Sequence, residues 1–387
     1  MLTVSGKKIV DKNGKKVRLT GISLGGWLMM EGYMLGGKNI PEHTFKQNLG
    51  SLSKEFTREF RQRFFTEKDA ETIKNLGFNC VRIPFNYRLL EEGPGLSGGI
   101  EFLKEVVSWF TRRKLYVILD MHAVPGSQNK DWHSDSEGVA EFFEKEEHQK
   151  HFLKLWDQLS KTFKDEDYVA GYDVMNEAVT EKTDLLKQTY EDVIKVIRQN
   201  NDNHIIFLEG NMWGRNIDFI KDLFKDNVAI SIHFYDPVRF VFNQFSNLTY
   251  PGKVNGEQWN KARIGKTLKE YSKYNVPVYV GEFGIASRCP ECKAEYSWVR
   301  DVLKCFKDFG YHYTYWTYKS VGGMRCPDGL FQLFDHSGII GQETEHPGMD
   351  NLLFKMKEDS EKVYDILDTK NFVLNKKLMG VIGNYLC

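Results

Sequence analysis

The sequence lacks the features that mark a membrane-spanning, disulfide-built or nucleic-acid-binding protein. No run of about 18 apolar residues occurs, so no transmembrane helix is predicted. Six cysteines in 387 residues are too few for a disulfide framework. Lys plus Arg and Asp plus Glu number 53 each, so the formal net charge is zero. Neither a nucleic acid nor an anionic membrane is therefore expected as a partner.

The few cysteines leave several interpretations open. Cys80 lies in an apolar stretch and is expected to be a buried hydrophobe. Cys289 and Cys292 form a C-x-x-C pair, which with Cys326 could give three zinc ligands or a local disulfide. Free thiols are the alternative, because no fourth zinc ligand is evident. No metal and no cofactor are expected.

The N-terminus lacks the apolar core of a signal peptide. The protein is therefore expected to be cytoplasmic, or to be secreted with its signal already removed. Residues 1–17 instead predict a short β-hairpin with its turn at Asn13-Gly14. Asn247-Leu248-Thr249 could carry a glycan only in an exported protein.

Aromatic side chains, by contrast, are plentiful. They make up 14% of the chain and include 8 Trp and 18 Tyr. A neutral protein rich in rings suits an uncharged ligand that stacks on them, such as a sugar. Hydrophobic residues make up 41%, which is enough for a sizeable core and argues against disorder.

Hydrophobic patterning predicts eight strands alternating with eight helices. The strands are expected at residues 17–23, 78–84, 115–120, 171–176, 204–208, 228–232, 276–281 and 311–317. The helices are expected at residues 66–76, 100–113, 148–163, 183–199, 217–224, 263–274, 293–309 and 349–367, with Thr66 capping the first. Eight strands close an α/β (β/α)₈ TIM barrel. An open doubly wound sheet is disfavoured, because no Gly-rich phosphate loop follows the first strand.

No Pro/Gly/Ser linker divides the chain, so residues 1–387 are interpreted as a single domain. Long loops follow strands at residues 24–65, 122–147, 233–261 and 319–348. All lie on the C-terminal face of the predicted barrel, where barrel enzymes build their sites.

Polar and aromatic side chains recur where the strands are predicted to end. Each alone could be an ion pair, a core histidine, ring packing or a loop residue. Together they predict a polar rim on one face of the barrel. They are Arg82, Asp120, His122, Asn176, Glu177, Glu209, His233, Tyr235, Glu282 and Trp316.

Two of these residues, Glu177 and Glu282, could cleave a glycosidic bond together. One carboxylic acid would protonate the leaving oxygen, and one carboxylate would act on the other side of the anomeric carbon. A separation of about 5–5.5 Å would give retention of configuration, whereas about 6.5–9.5 Å would leave room for water and give inversion. The sequence does not fix this distance.

These residues resemble the signature of glycoside hydrolase family 5 (clan A), a retaining (β/α)₈ family. Eight signature positions are present in order: Arg82, His122, Asn176, Glu177, His233, Tyr235, Glu282 and Trp316. The resemblance spans about residues 19–338. Residues 21–34, 65–87 and 119–129 further resemble the exo-β-1,3-glucanase branch. That likeness implies that Glu31 and Asp131, with Asp135 as the alternative, hold the terminal glucose.

Three departures from that branch concern linkage preference rather than catalytic class. Ala178 replaces the proline that follows the catalytic Asn-Glu pair in the branch. Pro237 and Val238 stand where the branch has an aromatic residue. The segment Cys289-Pro290-Glu291-Cys292 is an insertion without a counterpart.

The resemblance implies a role for each signature residue. Glu177 would be the acid/base, with its pKa raised by burial and a second carboxylate. Glu282 would be the nucleophile, kept charged by Arg82 and Tyr235. The other signature residues would orient Glu177 or contact the sugar: Asn176 its 2-hydroxyl, His122 another hydroxyl, His233 the acid/base, and Trp316 the sugar face.

Outside the signature, His133 could be a pocket residue or a plain loop residue, the latter being preferred. Lys319 and Arg325 could line a subsite, although solvated loop charges are the simpler interpretation. The expected activity is a retaining β-glycosidase on neutral β-glucans or β-glucosides, in exo-1,3 mode. Alternatives are an endo-acting β-1,4- or mixed-linkage glucanase or mannanase, a non-catalytic sugar-binding barrel, and a metal-dependent hydrolase. A β-linked oligo- or polysaccharide is the expected partner, and a monomer the expected state.

Overall fold

The computed structural model describes residues 1–35, 39–93, 98–245, 247–286, 293–321, 327–333 and 349–386. The chain begins with an antiparallel sheet of three strands, β1 (Thr3–Ser5), β2 (Lys8–Val10) and β3 (Lys16–Val17). The predicted turn at Asn13-Gly14 joins β2 to β3, and Gly14 takes a φ of 76°. The hairpin prediction was therefore incomplete, because residues 3–5 add a third strand.

Eight parallel strands then form the closed barrel that the sequence predicts. Their order around the barrel follows the chain, and the last strand pairs with the first. The barrel strands are β4 (Thr20–Ser23), β5 (Cys80–Asn86), β6 (Tyr116–Ala123), β7 (Val169–Asp173), β8 (Ile205–Glu209), β9 (Val228–His233), β12 (Val278–Glu282) and β13 (His312–Tyr315). A small hairpin, β10 (Gly252–Val254) and β11 (Glu257–Trp259), lies between β9 and β12.

The strands are mostly apolar and almost entirely buried because both faces are covered, as parallel sheets require. All five residues of β7 are buried, for example, as are all six of β9. Gly171 in β7 pairs with Ile205, and a Cβ atom on this glycine would lie 2.1 Å from the Ile205 carbonyl oxygen. The close contact between β7 and β8 therefore requires glycine at this position.

Amphipathic helices surround the barrel. Residues 183–199 show the pattern, since Leu186, Tyr190, Val193 and Ile197 recur on the buried face. The main helices are Glu42–Leu49, Ser53–Arg63, Glu67–Asn75, Gly99–Thr111, Glu146–Phe163, Thr183–Gln199, Lys261–Lys269, Lys293–Phe309, Met349–Glu358, Ser360–Leu367 and Lys376–Gly383. Shorter helical turns are Gly32–Leu35, Gly50–Leu52, Arg88–Glu91, Trp132–Ser134, Asn211–Gly214, Asp218–Leu223, Val238–Val241, Glu270–Lys273 and Thr369–Asn371.

Several predicted bounds needed correction. The helix expected at 217–224 is a 3₁₀ turn, and that expected at 349–367 is two helices, the second capped by Asp359. The first barrel strand begins at Thr20 rather than at residue 17, and the second runs past Pro84 to Asn86. The capping role of Thr66 is confirmed, since Thr66 and Asp69 form a reciprocal capping box.

The loop after β13 carries β14 (Lys319–Val321) and β15 (Phe331–Leu333), which pair with each other. β15 also pairs with the late strand β16 (Val373–Leu374). Cys80 is buried in β5, as predicted. Cys289, Cys292 and Cys326 lie outside the described residues. Among the described helices, none combines the length and the apolar character needed to span a bilayer.

Candidate active site

The loops at the C-terminal ends of the barrel strands enclose a cavity of ≈ 570 Å³. Seven of the predicted site residues line it, whereas Arg82, Asn176 and His233 lie buried beneath it. The seven are Glu31, His122, Asp131, Glu177, Tyr235, Glu282 and Trp316. The other lining residues are mostly aromatic or apolar, including Trp132, Trp213 and Phe242, with His133, Arg215 and Gln244 as polar members.

Glu282, the last residue of β12, is held by two donors. The Arg82 guanidinium donates to Oε1 (2.6 Å) and the Tyr235 hydroxyl donates to Oε2 (2.8 Å). Burial alone would raise the pKa of Glu282, but the charges of His233 and Arg82 bring it below its ordinary value. Glu282 is therefore ionised at neutral pH, as a nucleophilic carboxylate must be.

Arg82 lies in the middle of β5, so the prediction that the strand ends near it was wrong. The side chain is fully buried, and its charge is neutralised by carboxylates from four strands. The closest oxygens are those of Glu282 (2.6 Å), Asp120 (3.0 Å), Asp173 (3.2 Å) and Glu209 (3.5 Å). Arg82 also donates to Asn176 Oδ1 (2.9 Å). A buried guanidinium needs partners of this kind to offset its desolvation.

Asp120 was predicted at the polar rim but without a role, and Asp173 was not predicted. Asp120 lies inside β6 and Asp173 ends β7, both as polar residues in apolar runs. Burial raises the pKa of Asp120 to about 7, in spite of Arg82. Burial, followed by the charge of Glu209, raises the pKa of Asp173 well above its ordinary value. A buried carboxyl in an otherwise apolar strand was the available signal for both residues.

Glu177 follows β7 and contacts two imidazoles. Its Oε1 lies 2.6 Å from His233 Nδ1, and its Oε2 lies 3.5 Å from His133 Nε2. Its backbone has a φ of 44°, which costs a non-glycine residue about 1–3 kcal/mol. Hydrogen bonds on both sides of the residue hold this conformation: Glu209 accepts from its N–H (2.8 Å), and the Asn129 amide donates to its carbonyl (2.9 Å).

The raised pKa that was expected for Glu177 also needs correction. Burial alone would raise its pKa, but the charge and hydrogen bond of His233 and the charge of His133 bring it below its ordinary value. Burial alone would lower the pKa of His233, but the charges of Glu209, Glu282 and Glu177 raise it well above its ordinary value. The proton of this pair therefore lies on His233 in the free protein.

One oxygen of Glu177, one of Glu282 and a nitrogen of His233 all lie within 4.8 Å of one another. The two carboxylates therefore face each other across the cavity at close range. Within the described residues, these three side chains are the one group that could surround a metal ion. Arg82 and the protonated His233 already neutralise them, so their electrostatics disfavour a cation.

His122 and Trp316 form one wall of the cavity. Their rings stack with centroids 5.4 Å apart and an angle of 10°. His122 Nδ1 lies 2.8 Å from Asp120 Oδ2, and burial lowers the pKa of His122 well below its ordinary value. The Trp316 indole N–H donates to the Tyr33 hydroxyl (2.7 Å), which fixes the ring.

Glu31 lines the cavity and is 5% exposed. Burial, with the charges of Glu282 and Glu177, raises its pKa to about 8 despite the opposing charge of His133. Its Oε1 has no hydrogen-bond partner among the described residues. A carboxyl that is neutral at pH 7 and has a free oxygen can both donate and accept a hydrogen bond.

Between the alternatives Asp131 and Asp135, the structure places Asp131 in the cavity. The Trp213 indole donates to Asp131 Oδ2 (2.9 Å), which His133 Nε2 also approaches (3.4 Å). Asp135 instead pairs with His43 and Arg88, outside the cavity.

His133 proves to be a pocket residue rather than a plain loop residue. Burial alone would lower its pKa, but Asp131, Glu177 and Glu31 raise it to about 9. Lys319 is not a solvated loop charge either: it is buried against Asp69 (2.6 Å), away from the cavity. Arg325 lies outside the described residues.

The C-terminal face of this eight-stranded parallel barrel carries two opposed carboxylates. One is flanked by imidazoles, and the other by arginine and tyrosine. This arrangement defines a barrel glycoside hydrolase. The model of the Cellulase (glycosyl hydrolase family 5) family matches residues 10–322. The chain belongs to glycosyl hydrolase family 5.

Several curated relatives carry different activity names. A beta-xylosidase of Phanerodontia chrysosporium is 30% identical over 346 residues, covering 83% of this chain and 71% of the relative. Endoglucanase C of Acetivibrio thermocellus is 24% identical, and the match covers 78% of this chain and 91% of the relative. A glucan 1,3-beta-glucosidase of Candida oleophila is 29% identical, but the match covers only 49% of this chain and 49% of the relative.

The fold is shared with solved structures. The rutinosidase of Aspergillus niger superimposes with a TM-score of 0.64 at 16% identity, covering 90% of this chain and 98% of that one. At this identity, the likeness concerns the fold alone.

Proposed function

We propose that the protein is a retaining β-glycosidase of one catalytic domain that acts on neutral β-glucosides or β-glucans. Glu177 is the acid/base and Glu282 the nucleophile. The observation that carries this proposal is the carboxylate separation, with oxygens within 4.8 Å of each other. This is consistent with the about 5–5.5 Å of retaining enzymes and is shorter than the about 6.5–9.5 Å of inverting enzymes.

In the first step, Glu282 attacks the anomeric carbon while Glu177 gives a proton to the leaving oxygen. That proton comes from His233, 2.6 Å from Glu177 Oε1. In the second step, Glu177 takes a proton from water, and the hydroxide displaces Glu282. Arg82 and Tyr235 stabilise the carboxylate that leaves.

The remaining signature residues bind the reacting sugar. Asn176 is fixed by Arg82 and bonds the 2-hydroxyl, a contact that strengthens in the oxocarbenium-like transition state. Trp316 supports the apolar sugar face, and His122 offers Nε2 to a hydroxyl, since Nδ1 is taken by Asp120.

Exo-acting cleavage is supported by two acidic residues that line the cavity. Glu31 offers an oxygen without a protein partner there, and Asp131 approaches from a second loop. A terminal glucose would supply the hydroxyls that these groups need. The glucan 1,3-beta-glucosidase relative is consistent with the 1,3 linkage.

A β-xylosidase is the second candidate, favoured by the relative that is 30% identical over 83% of this chain. A xylose ring lacks the exocyclic hydroxymethyl group of glucose. Relative rates on aryl β-xylosides and aryl β-glucosides therefore separate the two candidates.

Product analysis on laminarin, lichenan, carboxymethylcellulose and aryl β-glycosides tests the proposal. We expect glucose with retained configuration from laminarin, and a loss of about 10⁴-fold or more in kcat for Glu282→Gln, since the nucleophile forms the covalent intermediate. Oligosaccharides from lichenan without glucose would contradict exo action and support the endo alternative. Tight oligosaccharide binding without any hydrolysis would support a non-catalytic barrel.

A further inference from the structure

Glu209, the last residue of β8, is linked to the proposed acid/base Glu177 in two ways, one through its backbone and one through His233. Its Oε2 accepts the backbone N–H of Glu177 (2.8 Å). Its Oε1 lies 3.1 Å from Nε2 of His233, whose other nitrogen contacts the Glu177 carboxylate. Glu209 is fully buried and has no direct access to the cavity. One carboxylate therefore accepts a hydrogen bond from the backbone of Glu177 and makes an ion-pair contact with the imidazole that contacts its side chain.

The surroundings of His233 show why this carboxylate matters. The imidazole is buried, and a buried imidazole without anionic neighbours would be neutral. Nδ1 faces Glu177 (2.6 Å) and Glu282 (3.5 Å), so Nε2 depends on Glu209 alone among the ion-pair contacts of the described residues. The ionisable groups that act on His233 from the surrounding strands are Asp120, Asp173, Glu177, Glu209 and Glu282, with Arg82 beyond them.

We propose that Glu209 is a positioning residue that keeps His233 doubly protonated and aimed at Glu177, so that the pair retains its catalytic proton at neutral and mildly alkaline pH. This inference rests on the proposed role of Glu177 as the acid. Glu209 itself does not touch the substrate.

Protons are conserved through the two steps. In the free enzyme, His233 carries protons on both nitrogens, and Glu177 is ionised. Transfer of the Nδ1 proton to Glu177 Oε1 leaves a neutral imidazole whose Nε2–H still faces Glu209. Glu177 then gives that proton to the leaving oxygen, and the water of the second step returns one to the pair.

Glu209→Gln tests whether the negative charge of Glu209 is needed. Glutamine has nearly the same size as glutamate and keeps an oxygen that can accept the Glu177 N–H. Without the negative charge the pair loses its proton more easily, so the alkaline limb of kcat/KM on an aryl β-glucoside should shift to lower pH by about one to three units. Glu209→Asp retains the charge, so its alkaline limb should stay near that of the wild type even if kcat falls.

Asp202→Asn is a matched control in the loop that precedes the same strand. Asp202 is also a buried carboxylate on an imidazole, with Oδ1 2.7 Å from His204 Nδ1, but it lies outside the cavity. This variant should lose stability without moving the alkaline limb. An alkaline limb that stays in place in Glu209→Gln, or that shifts equally in Asp202→Asn, would overturn the proposal.

A second measurement needs neither a Glu209 variant nor activity. Nitrogen NMR of ¹⁵N-histidine-labelled wild-type protein, with His233→Gln to assign the signal, should show His233 doubly protonated at pH 7.5. A neutral His233 there would overturn the inference, even if the enzyme were active. A doubly protonated His233 in a protein without glycosidase activity would instead contradict the proposed function.

Discussion

At the scale of single residues, three glutamates in one cavity differ in charge because their neighbours differ. The charges of His233 and Arg82 outweigh burial at Glu282, and the charge and hydrogen bond of His233 outweigh it at Glu177, so both have a lowered pKa. Glu31 lacks a cation of comparable closeness, and burial raises its pKa to about 8. Identical side chains can therefore serve as an anion, a proton acceptor and a neutral hydrogen-bond donor at the same pH.

The hydroxyl of Tyr235 provides a test of the charge on Glu282. Tyr235→Phe removes a donor to the ionised carboxylate (2.8 Å), so the pKa of Glu282 should rise. A hydrogen bond to a charged group contributes about 1.5–3 kcal/mol, which corresponds to about one to two pKa units. The acid limb of kcat/KM should therefore move to higher pH by that amount.

Tyr172→Phe is the matched control for this variant. Its hydroxyl is also buried and bonded to a carboxylate, Asp202 (2.6 Å), but it lies outside the cavity. An acid limb that moves equally in both variants would show that Tyr235 does not act on Glu282 specifically.

At the scale of elements, the loop after β13 is joined to the barrel by a buried ion pair. Lys319, in β14, contacts Asp69 (2.6 Å), the residue that also closes the capping box of helix Glu67–Asn75. Thr369, just before β16, donates to the same carboxylate (2.9 Å). One side chain thus connects a helix start, a strand and the C-terminal segment.

Asp69→Ala should therefore be strongly destabilising. It leaves the Lys319 ammonium buried without its carboxylate and removes the helix cap, so the free energy of unfolding should fall by at least about 3–5 kcal/mol. Urea unfolding at pH 7 measures this loss. Asp222→Ala breaks an exposed ion pair with Lys187 (2.7 Å) and should leave the free energy of unfolding nearly unchanged. Equal losses in the two variants would contradict the role given to Asp69.

At the scale of the whole molecule, the two ends of the barrel have separate tasks. The catalytic groups occupy the C-terminal face. At the other end, Leu2 and Ile9 of the N-terminal segment pack against barrel residues such as Ile118, Ile205 and Tyr279. The N-terminal sheet therefore closes the bottom of the barrel, far from the chemistry.

Ile9→Ala should separate stability from activity. Ile9 is fully buried, so the substitution should lower the free energy of unfolding by about 2–5 kcal/mol through lost burial and a cavity. The kcat/KM at 25 °C should not change. Lys8→Ala, on the exposed side of the same strand, should leave both nearly unchanged. A drop in kcat/KM for folded Ile9→Ala would show that the two ends are coupled.

The sequence by itself determined the barrel, most strand positions and the polar rim. Alternation of apolar runs with amphipathic segments is a local property, and parallel strands must end on one face. The helices at 183–199 and 293–309 were predicted to the residue for the same reason. The N-terminal third strand and the split of residues 349–367 were missed because short or weakly periodic segments depend on their tertiary neighbours.

Only the tertiary structure decided how the rim residues meet. Side chains from different strands set the separation of Glu177 and Glu282, the choice of Asp131 over Asp135, and the cavity position of His133. They also reversed the expected pKa shift of Glu177, because a charged His233 lies 2.6 Å away. Distances across a barrel and the charges that depend on them arise from non-local contacts, which local patterning does not encode.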